Sequence, residues 1–554
     1  AFVPTDIFAS SGIGRASQSS GRNYNWLNEN TLTYDKVFNK IHAVNLTGGF
    51  TLQNWYTKTS LAGITNLSTN SLGPYNFGIG IPSTPSSYYG ENALVSYFGR
   101  ANYRLMDKYL FTFTMRADGS SRFGVNDKWG YFPSGAFAWH LSQEDFIKNI
   151  NAISDFKLRM SYGITGNQEI GSYNSQSQYV SNQYSLGATP SLVVGVSSAN
   201  IANPSLKWES TASSDLGLDL GLWNNRLYIT TDFYYKKTSN LLLLVNIPIT
   251  SGYSSILQNA GAVSNKGFEF SATSLNIDQK KVKWTTTVNF STNANKVLDL
   301  GSNKQIYVGQ MSGSVFNGGA PSSAILVPGK PIGSFYGYVF DGIWQSGDQI
   351  IKSGTKQAVN PGDPIYKDLN GDSVLSGDDR MILGQALPKF IYGIINNITV
   401  GRFNLNIFFQ GVYGNKILNE NLYEIQNGTP DFNKLAYVAT ESWHGRGTSN
   451  TLPRVSSILR NATGFTSDVL ESGSFLRLKT VTLSYDLPLP KLTGVFKSAN
   501  VYVTAQNLLT FTKYSGYDPE VNSFTDATDA LSLGTDYNAF PNYRTFLLGV
   551  KFGF

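Results

Sequence analysis

From one end of the chain to the other, apolar side chains recur at every second residue, in segments joined by connections that are alternately short and long. The clearest case is a hairpin. Leu216, Leu218, Leu220 and Leu222 alternate with Asp215, Gly217, Asp219 and Gly221, and the turn Trp223-Asn224-Asn225 follows. Leu227, Ile229, Thr231, Phe233 and Tyr235 then oppose Tyr228, Thr230, Asp232, Tyr234 and Lys236. Side chains on a strand point to opposite faces in turn, so each segment is a strand with one apolar and one polar face. The final stretch, Tyr543 to Phe554, takes the pattern furthest. Phe546, Leu548, Val550, Phe552 and Phe554 share a face, backed by Thr545, Leu547, Gly549, Lys551 and Gly553. An apolar face toward lipid and a polar face toward a wet lumen account for this pattern.

The same signature covers Tyr24 to Phe38, Ile41 to Trp55, Leu94 to Met106, Tyr109 to Arg116, Trp129 to His140 and Phe156 to Ile164. It continues through Ser264 to Ile277, Val282 to Ser291, Phe390 to Val400, Phe403 to Gln410, Leu476 to Tyr485 and Val501 to Ala505. The total is about 15 strands. Long connections lie near 58–92, 165–204, 238–263, 297–386, 414–470 and 512–542, all at one end of the strands. Outer-membrane barrels segregate loops in this way, with short periplasmic turns and long external loops, and soluble sandwiches rarely do. The fold class read from the sequence is therefore all-β, a transmembrane antiparallel β-barrel. A change of phase between Leu478 and Val481 predicts a bulge near Lys479-Thr480.

Composition narrows the functions. Aromatic residues make up 14% of the chain and charged residues no more than 14%, which suits aromatic girdles at two membrane interfaces. No apolar run approaches the ~18 residues of a spanning helix, so membrane crossing is by strands. The net charge of +6 is spread along the chain without a Lys/Arg run, and a nucleic-acid partner is excluded. With no Cys there are no disulfides or thiolate metal sites. The opening AFVPTDIFASSG has neither the basic nor the apolar region of a signal peptide. An exported chain beginning there is expected to be processed or to lack its front.

Seven stretches, in this order, resemble one family: RADGSSRFG (Arg116 to Gly124), SYGITGNQEIGSY (Ser161 to Tyr173), NPSLKWEST (Asn203 to Thr211), NAGAVSNKGFEFS (Asn259 to Ser271), YKDLNGD (Tyr366 to Asp372), SFLRLKTVTLSYDLP (Ser474 to Pro488) and AQNLLTFTKYSGYDPEV (Ala505 to Val521). Together they resemble the C-terminal part of SusC/RagA-type TonB-dependent transporters of the Bacteroidota outer membrane. The resemblance implies a barrel of about 22 strands closed by an N-terminal plug. Neither a plug nor a TonB box nor the first strands is recognised here. The expectation is a C-terminal portion whose last strand pairs with the N-terminal part of the same barrel. The resemblance further implies active import of an oligosaccharide or oligopeptide with a SusD-like surface lipoprotein and the TonB complex as partners. The family's dimers of transporter–lipoprotein pairs have no signature in these residues. A passive porin and a barrel-anchored, glycan-binding adhesin are the competing classes.

The candidate sites are few. Asp368, Asn370, Asp372, Val374, Ser376 and Asp379 fall at calcium-loop spacing, with oxygen ligands at alternate positions and a closing carboxylate. Ser373 stands where such a loop needs Gly, and Asp379 is shorter than the usual Glu, so a solvated turn fits the same residues. A structural calcium is the one cofactor this reading entertains; none is required. Tyr88, Tyr89, Tyr173, Tyr179, Tyr184, Trp344 and Trp443 are external aromatics suited to stacking on sugar rings or peptide side chains, or to anchoring loops. No active site is expected. His42, His140 and His444 stand apart, and Glu209 and Glu269 read as lumen-facing acids rather than as a catalytic pair. Arg477 and Lys479 read as structural charges on the polar face.

Overall fold

The computed structural model describes residues 2–3, 14–186, 191–311, 322–348, 352–353, 359–426, 433–455, 465–488, 496–523 and 531–553. Among them are fifteen long strands. These are β1 (Arg15–Phe38), β2 (His42–Thr65), β3 (Ser86–Leu105), β4 (Tyr109–Ser120), β5 (Trp129–His140), β6 (Ile153–Asn167), β7 (Glu209–Leu222) and β8 (Leu227–Ser239), followed by β9 (Ala262–Asp278), β10 (Val282–Asp299), β11 (Phe390–Val400), β12 (Phe403–Tyr413), β13 (Phe475–Asp486), β14 (Ser498–Thr512) and β15 (Thr545–Gly553). Each strand expected from the alternation lies on one of these, although several run further at their loop ends. Phe554 lies outside the described residues.

The chain separates into two compact units, Ala1–Phe137 with Ser161–Ala212 and Thr238–Ala260, and Ala138–Met160 with Ser213–Lys237 and Gly261–Phe554. In the first, β1 to β4 form an antiparallel meander in chain order. Its tight turns use left-handed residues, Asn39 and Lys40, then Met106 and Asp107. One face is tied by side-chain amides and hydroxyls. Asn45 donates to Asp35, Asn102 donates to Asn45 at 2.9 Å, and Thr112 donates to Asn102 at 2.9 Å. The other face leaves Tyr97, Phe111 and Phe113 exposed. Large exposed apolar groups opposite a satisfied polar face invert the pattern of a soluble sheet and suit a wall in lipid.

The first unit also has a small core of Phe123, Phe132, Ile170, Leu206 and Trp208, to which β5 contributes Phe132. Two of the family-like stretches meet there. The Gly124 N–H donates to the Leu206 carbonyl at 3.0 Å, and a Cβ on Gly124 would stand 1.9 Å from the Pro204 carbonyl oxygen. Only glycine permits that approach.

In the second unit β9 to β15 form a meander, each strand antiparallel to the next. The expected bulge is present: the β13–β14 register shifts between Leu478 and Thr480. On β15 the apolar face is exposed, with Phe546 at 69% and Leu548 at 76%. The loops between these strands fold into a body of their own. Ile306–Gln310, Ser322–Leu326, Ser334–Tyr338 and Arg380–Gln385 make one antiparallel sheet. Lys416–Asn419 pairs antiparallel with Leu470–Ser472 and parallel with Thr535–Asp536. Three insertions are thereby stitched together, and Phe335, Leu418, Phe465 and Val469 fill the space between them.

Phe335 is fully buried in that body. We expect Phe335→Ala to cost about 3–5 kcal/mol of its local stability. Hydrogen exchange should accelerate in the loop ladders of residues 306–385 and 416–472 and leave the β9–β10 ladder unchanged.

Candidate functional site

The junction between β13 and the loop body is held by one cation. Arg477 lies on the polar face of β13 and is 2% exposed. Its guanidinium donates to Asp518, to Glu520 at 2.8 Å and to the Thr510 hydroxyl at 3.0 Å. Lys479, two residues on, reaches the same Glu520 oxygen at 3.1 Å. Burial alone pushes the Asp518 carboxyl up, but the Glu520 N–H, the Arg477 guanidinium and Asn542 outweigh it and hold the carboxyl below its usual range. Asp518 and Glu520 were not singled out by the sequence reading. Their signal is two acids flanking Pro519, in the stretch YDPEV, with no neighbouring cation in sequence.

A second ion cluster ribs the wall. Lys157 and Arg159 on β6 meet Asp219 on β7 at 2.8 and 3.0 Å, and Arg159 also meets Asp232 on β8 at 2.8 Å. Asp232 and Glu269 open onto a cavity of about 650 Å³ on the polar face, with Thr230, Asn289, Gln410 and the Phe408 ring. Carboxylates, amides and the aromatic residues Phe270, Phe290, Tyr392 and Phe408 around a space of that size can hold a sugar or an amino-acid side chain.

The aromatic candidates fall into separate groups. Tyr88 and Tyr89 are not loop residues. They sit on β3, paired with Thr59 and Lys58, because β2 and β3 extend beyond the length that lipid requires. The Tyr89 hydroxyl donates to Glu91 at 2.9 Å, Asn54 donates to the same carboxylate, and the Glu91 N–H donates to the Tyr173 hydroxyl at 3.1 Å. Tyr89 and Tyr173 are thus gathered around Glu91, while Tyr88 is exposed. Tyr179 and Tyr184 lie on a separate hairpin, Tyr179–Leu186 with Ser191–Ser198, and both are exposed. In the second unit the Trp443 indole donates to Gln345 at 3.0 Å, and the Trp344 N–H donates to the Asp363 carbonyl at 3.0 Å. Both tryptophans fasten loop to loop and are half-buried.

In the loop Asp368 to Asp379 the acids are spent on the backbone. Asp368 accepts from Ser373 at 2.8 Å and Gly371 at 2.7 Å, and those amides hold its carboxyl below the usual range. Asp372 accepts from Val374 and from the Asn370 side chain, and Asn370 accepts from the Asp372 amide. Asp379, fully buried, accepts from Leu369 at 2.9 Å and Ser376 at 2.7 Å, and Ser376 caps the short helical turn that follows it. Among the described residues no three acidic or histidine side chains converge on one point. The donor set fits a self-capped turn better than an ion cage. The three histidines stand apart: His42 shares a hydrogen bond with Tyr103 at 2.7 Å and His444 contacts the Ser442 carbonyl, while His140 ends β5.

Comparison with known proteins places this arrangement. The family profile described as TonB dependent receptor-like, beta-barrel matches residues 4–381. The chain belongs to that family. TonB-dependent receptor P3 of Formosa agariphila is 39% identical over 560 residues, covering 100% of this chain and 55% of the relative. TonB-dependent receptor SusC of Bacteroides thetaiotaomicron is 32% identical over 484 residues, covering 85% of this chain and 44% of the relative. The solved structure of the RagAB peptide transporter superposes with a TM-score of 0.80 at 26% identity, over 99% of this chain and 57% of that one. The chain therefore spans about half the length of the relatives it matches. The SusC/RagA-type assignment made on seven short stretches holds across nearly the whole chain.

Two outcomes follow for the site. Arg477→Met strands the buried Asp518 without a counter-charge and should cost about 3–5 kcal/mol, read as faster hydrogen exchange across residues 514–523 and 531–542. The same tie is present above about pH 4 and lost as pH falls through the depressed value of Asp518, because protonation removes the charge that Arg477 meets. Asp379→Ala should loosen the Asp368–Asp379 turn by about 1–3 kcal/mol by orphaning two amides. Millimolar calcium should leave exchange in the wild-type turn unchanged; protection that depends on calcium would restore the ion reading.

Proposed function

We propose that this chain forms the wall and external rim of an outer-membrane importer that takes up short oligomers, oligopeptide or oligosaccharide, with energy delivered through TonB. The observation that carries the reading is the chain-wide likeness to the RagAB peptide transporter, supported by identity with SusC. A SusD-like lipoprotein is the partner, seated on the stitched loops. The polar face supplies neutral donors and acceptors in rows, such as Thr482 with Thr504 at 2.9 Å and Asn406 with Asn397 at 2.7 Å. Rows of weak, similar partners let a polar oligomer exchange one hydrogen bond for the next. The reading assigns no catalysis to the chain, and the Asp368–Asp379 turn serves as a stiff strut.

The test is uptake in the parent cell. Deleting the gene should abolish uptake of one labelled class, peptide or oligosaccharide, and deleting TonB should abolish the same uptake. Steady conductance of the purified full-length protein in a planar bilayer, with TonB-independent uptake, would make it a passive pore. Surface binding without uptake would make it an adhesin. Within the importer, Phe408→Ala should raise the half-saturating substrate concentration about fivefold, the loss of one aromatic contact of about 1 kcal/mol.

A further inference from the structure

The outer ends of β1, β2 and β3 carry a second aromatic array, on the side away from the polar face. Register fixes that side. The β1–β2 and β2–β3 ladders run their whole length without a bulge. The face that packs Phe50 on Tyr97 within the wall therefore continues outward into the cross-strand sets Tyr24–Tyr56–Glu91 and Arg22–Lys58–Tyr89. The opposite face is the one that carries Asp35, Asn45 and Asn102.

The height of the array follows from strand length. A strand crosses the apolar band in about 9–11 residues, whereas β1 and β2 have 24 each. Counted from the short turn at residues 39–41, the two sets stand roughly four or five residues past the end of such a crossing. With the usual tilt that is about 10 Å or more beyond the hydrocarbon, outside the layer of lipid headgroups.

Three rings form a row there. Tyr24 stacks on Tyr56 at 4.8 Å with 19° between the planes, and the Tyr89 ring follows at 6.3 Å from Tyr56. Each end ring has only one face against Tyr56, and Tyr24 and Tyr89 are 50% and 54% exposed. Glu91 lies on the same face, but both its oxygens are engaged, one by the Tyr89 hydroxyl and one by the Asn54 amide, each at 2.9 Å. The carboxylate thus anchors the row.

Beside the rings stand two cations. Arg22 and Lys58 are directly opposite each other across the ladder, where like charges repel and weaken strand pairing. Both are exposed, and neither meets a carboxylate in any ion pair of the described residues. An anion placed between them turns that repulsion into two attractions. Next to half-free aromatic faces, the matching ligand is an anionic group on a ring with apolar C–H faces and hydroxyl edges. The height excludes the phosphate of a lipid headgroup.

We propose that this outer face binds an acidic saccharide from the medium, with a uronate carboxylate or a sulfate ester between Arg22 and Lys58 and the sugar rings against the tyrosine row. The inference rests on the membrane placement of the strands and is independent of what is transported through the lumen.

Calorimetric titration of the full-length protein in detergent tests it. The probes are an oligogalacturonate, the same oligomer with its carboxyls reduced to alcohols, a sulfated neutral oligosaccharide and a single-stranded oligonucleotide. At least one of the two anionic saccharides should bind, and the neutral oligomer should bind about tenfold more weakly. Replacing both cations, Arg22→Gln with Lys58→Gln, should weaken the anionic saccharide about tenfold, and Tyr24→Ala about fivefold. Arg22→Lys should bind as the parent does. Because the double Gln variant removes a repulsion at exposed positions, its unliganded β1–β2 ladder should exchange hydrogen no faster than the parent's. Absence of binding by both anionic saccharides, equal binding of the neutral oligomer, parent-like binding by the double Gln variant, tighter binding of the oligonucleotide, or faster exchange in that ladder would overturn the proposal. Oligomer uptake by these variants should persist, so failure here is separable from failure of the importer reading.

Discussion

A peptide amide that enters hydrocarbon must carry its hydrogen-bond partner with it. Everything else in this structure is arranged around that requirement. Because the ladders between strands satisfy the backbone, the side chains are released to serve two different solvents. Phe546 and Leu548 stand exposed on β15 without penalty when the solvent is lipid. On the first unit's polar face, side chains are tied into rows such as Asp35–Asn45–Asn102–Thr112. Those rows matter for the wall itself. Amide and hydroxyl pairs between adjacent strands fix register independently of the apolar face, which in lipid has no hydrophobic drive to choose one pairing over another.

Charge is used sparingly and where strands change environment. The Arg159 cluster joins three strands with both carboxylates answered. Arg477 does the same between a strand and a loop. Lys479, two residues on, reaches the same carboxylate, Glu520. The bulge beside it changes the phase of the strand, so that Val481 and Leu483 beyond it pair with Ile407 and Leu405 on the apolar face.

The strands were legible because their signal is local. A period of two survives in a single sequence, and Asn224-Asn225 or Gly401 mark turns that need left-handed backbone. The errors of extent, at β1, β2 and β3, arise where the strands leave lipid. Beyond that edge neither face must be apolar, and Tyr88 and Tyr89 lose the alternation that would have placed them on a strand. The loop body was not legible for a related reason. Its ladders join residues as distant as Leu418 and Thr535, through pieces of two to six residues that carry no period. The Asp368–Asp379 turn carries a different ambiguity: its spacing matches a cation loop, the same side chains also close the turn through backbone amides, and spacing cannot distinguish the two uses of an oxygen.

The stitching of three insertions into one body has a consequence for how such proteins diversify. Loops that hang singly from a scaffold can be exchanged singly. Here the strand Lys416–Asn419 lies between partners from two other parts of the chain, and Phe335 from one insertion packs on Phe465 from another. A graft of one insertion from a relative would arrive with edges and a hydrophobic face cut for neighbours it no longer has. This part of the protein is inherited as a block, and recombination that preserves its folding carries the stitched insertions together.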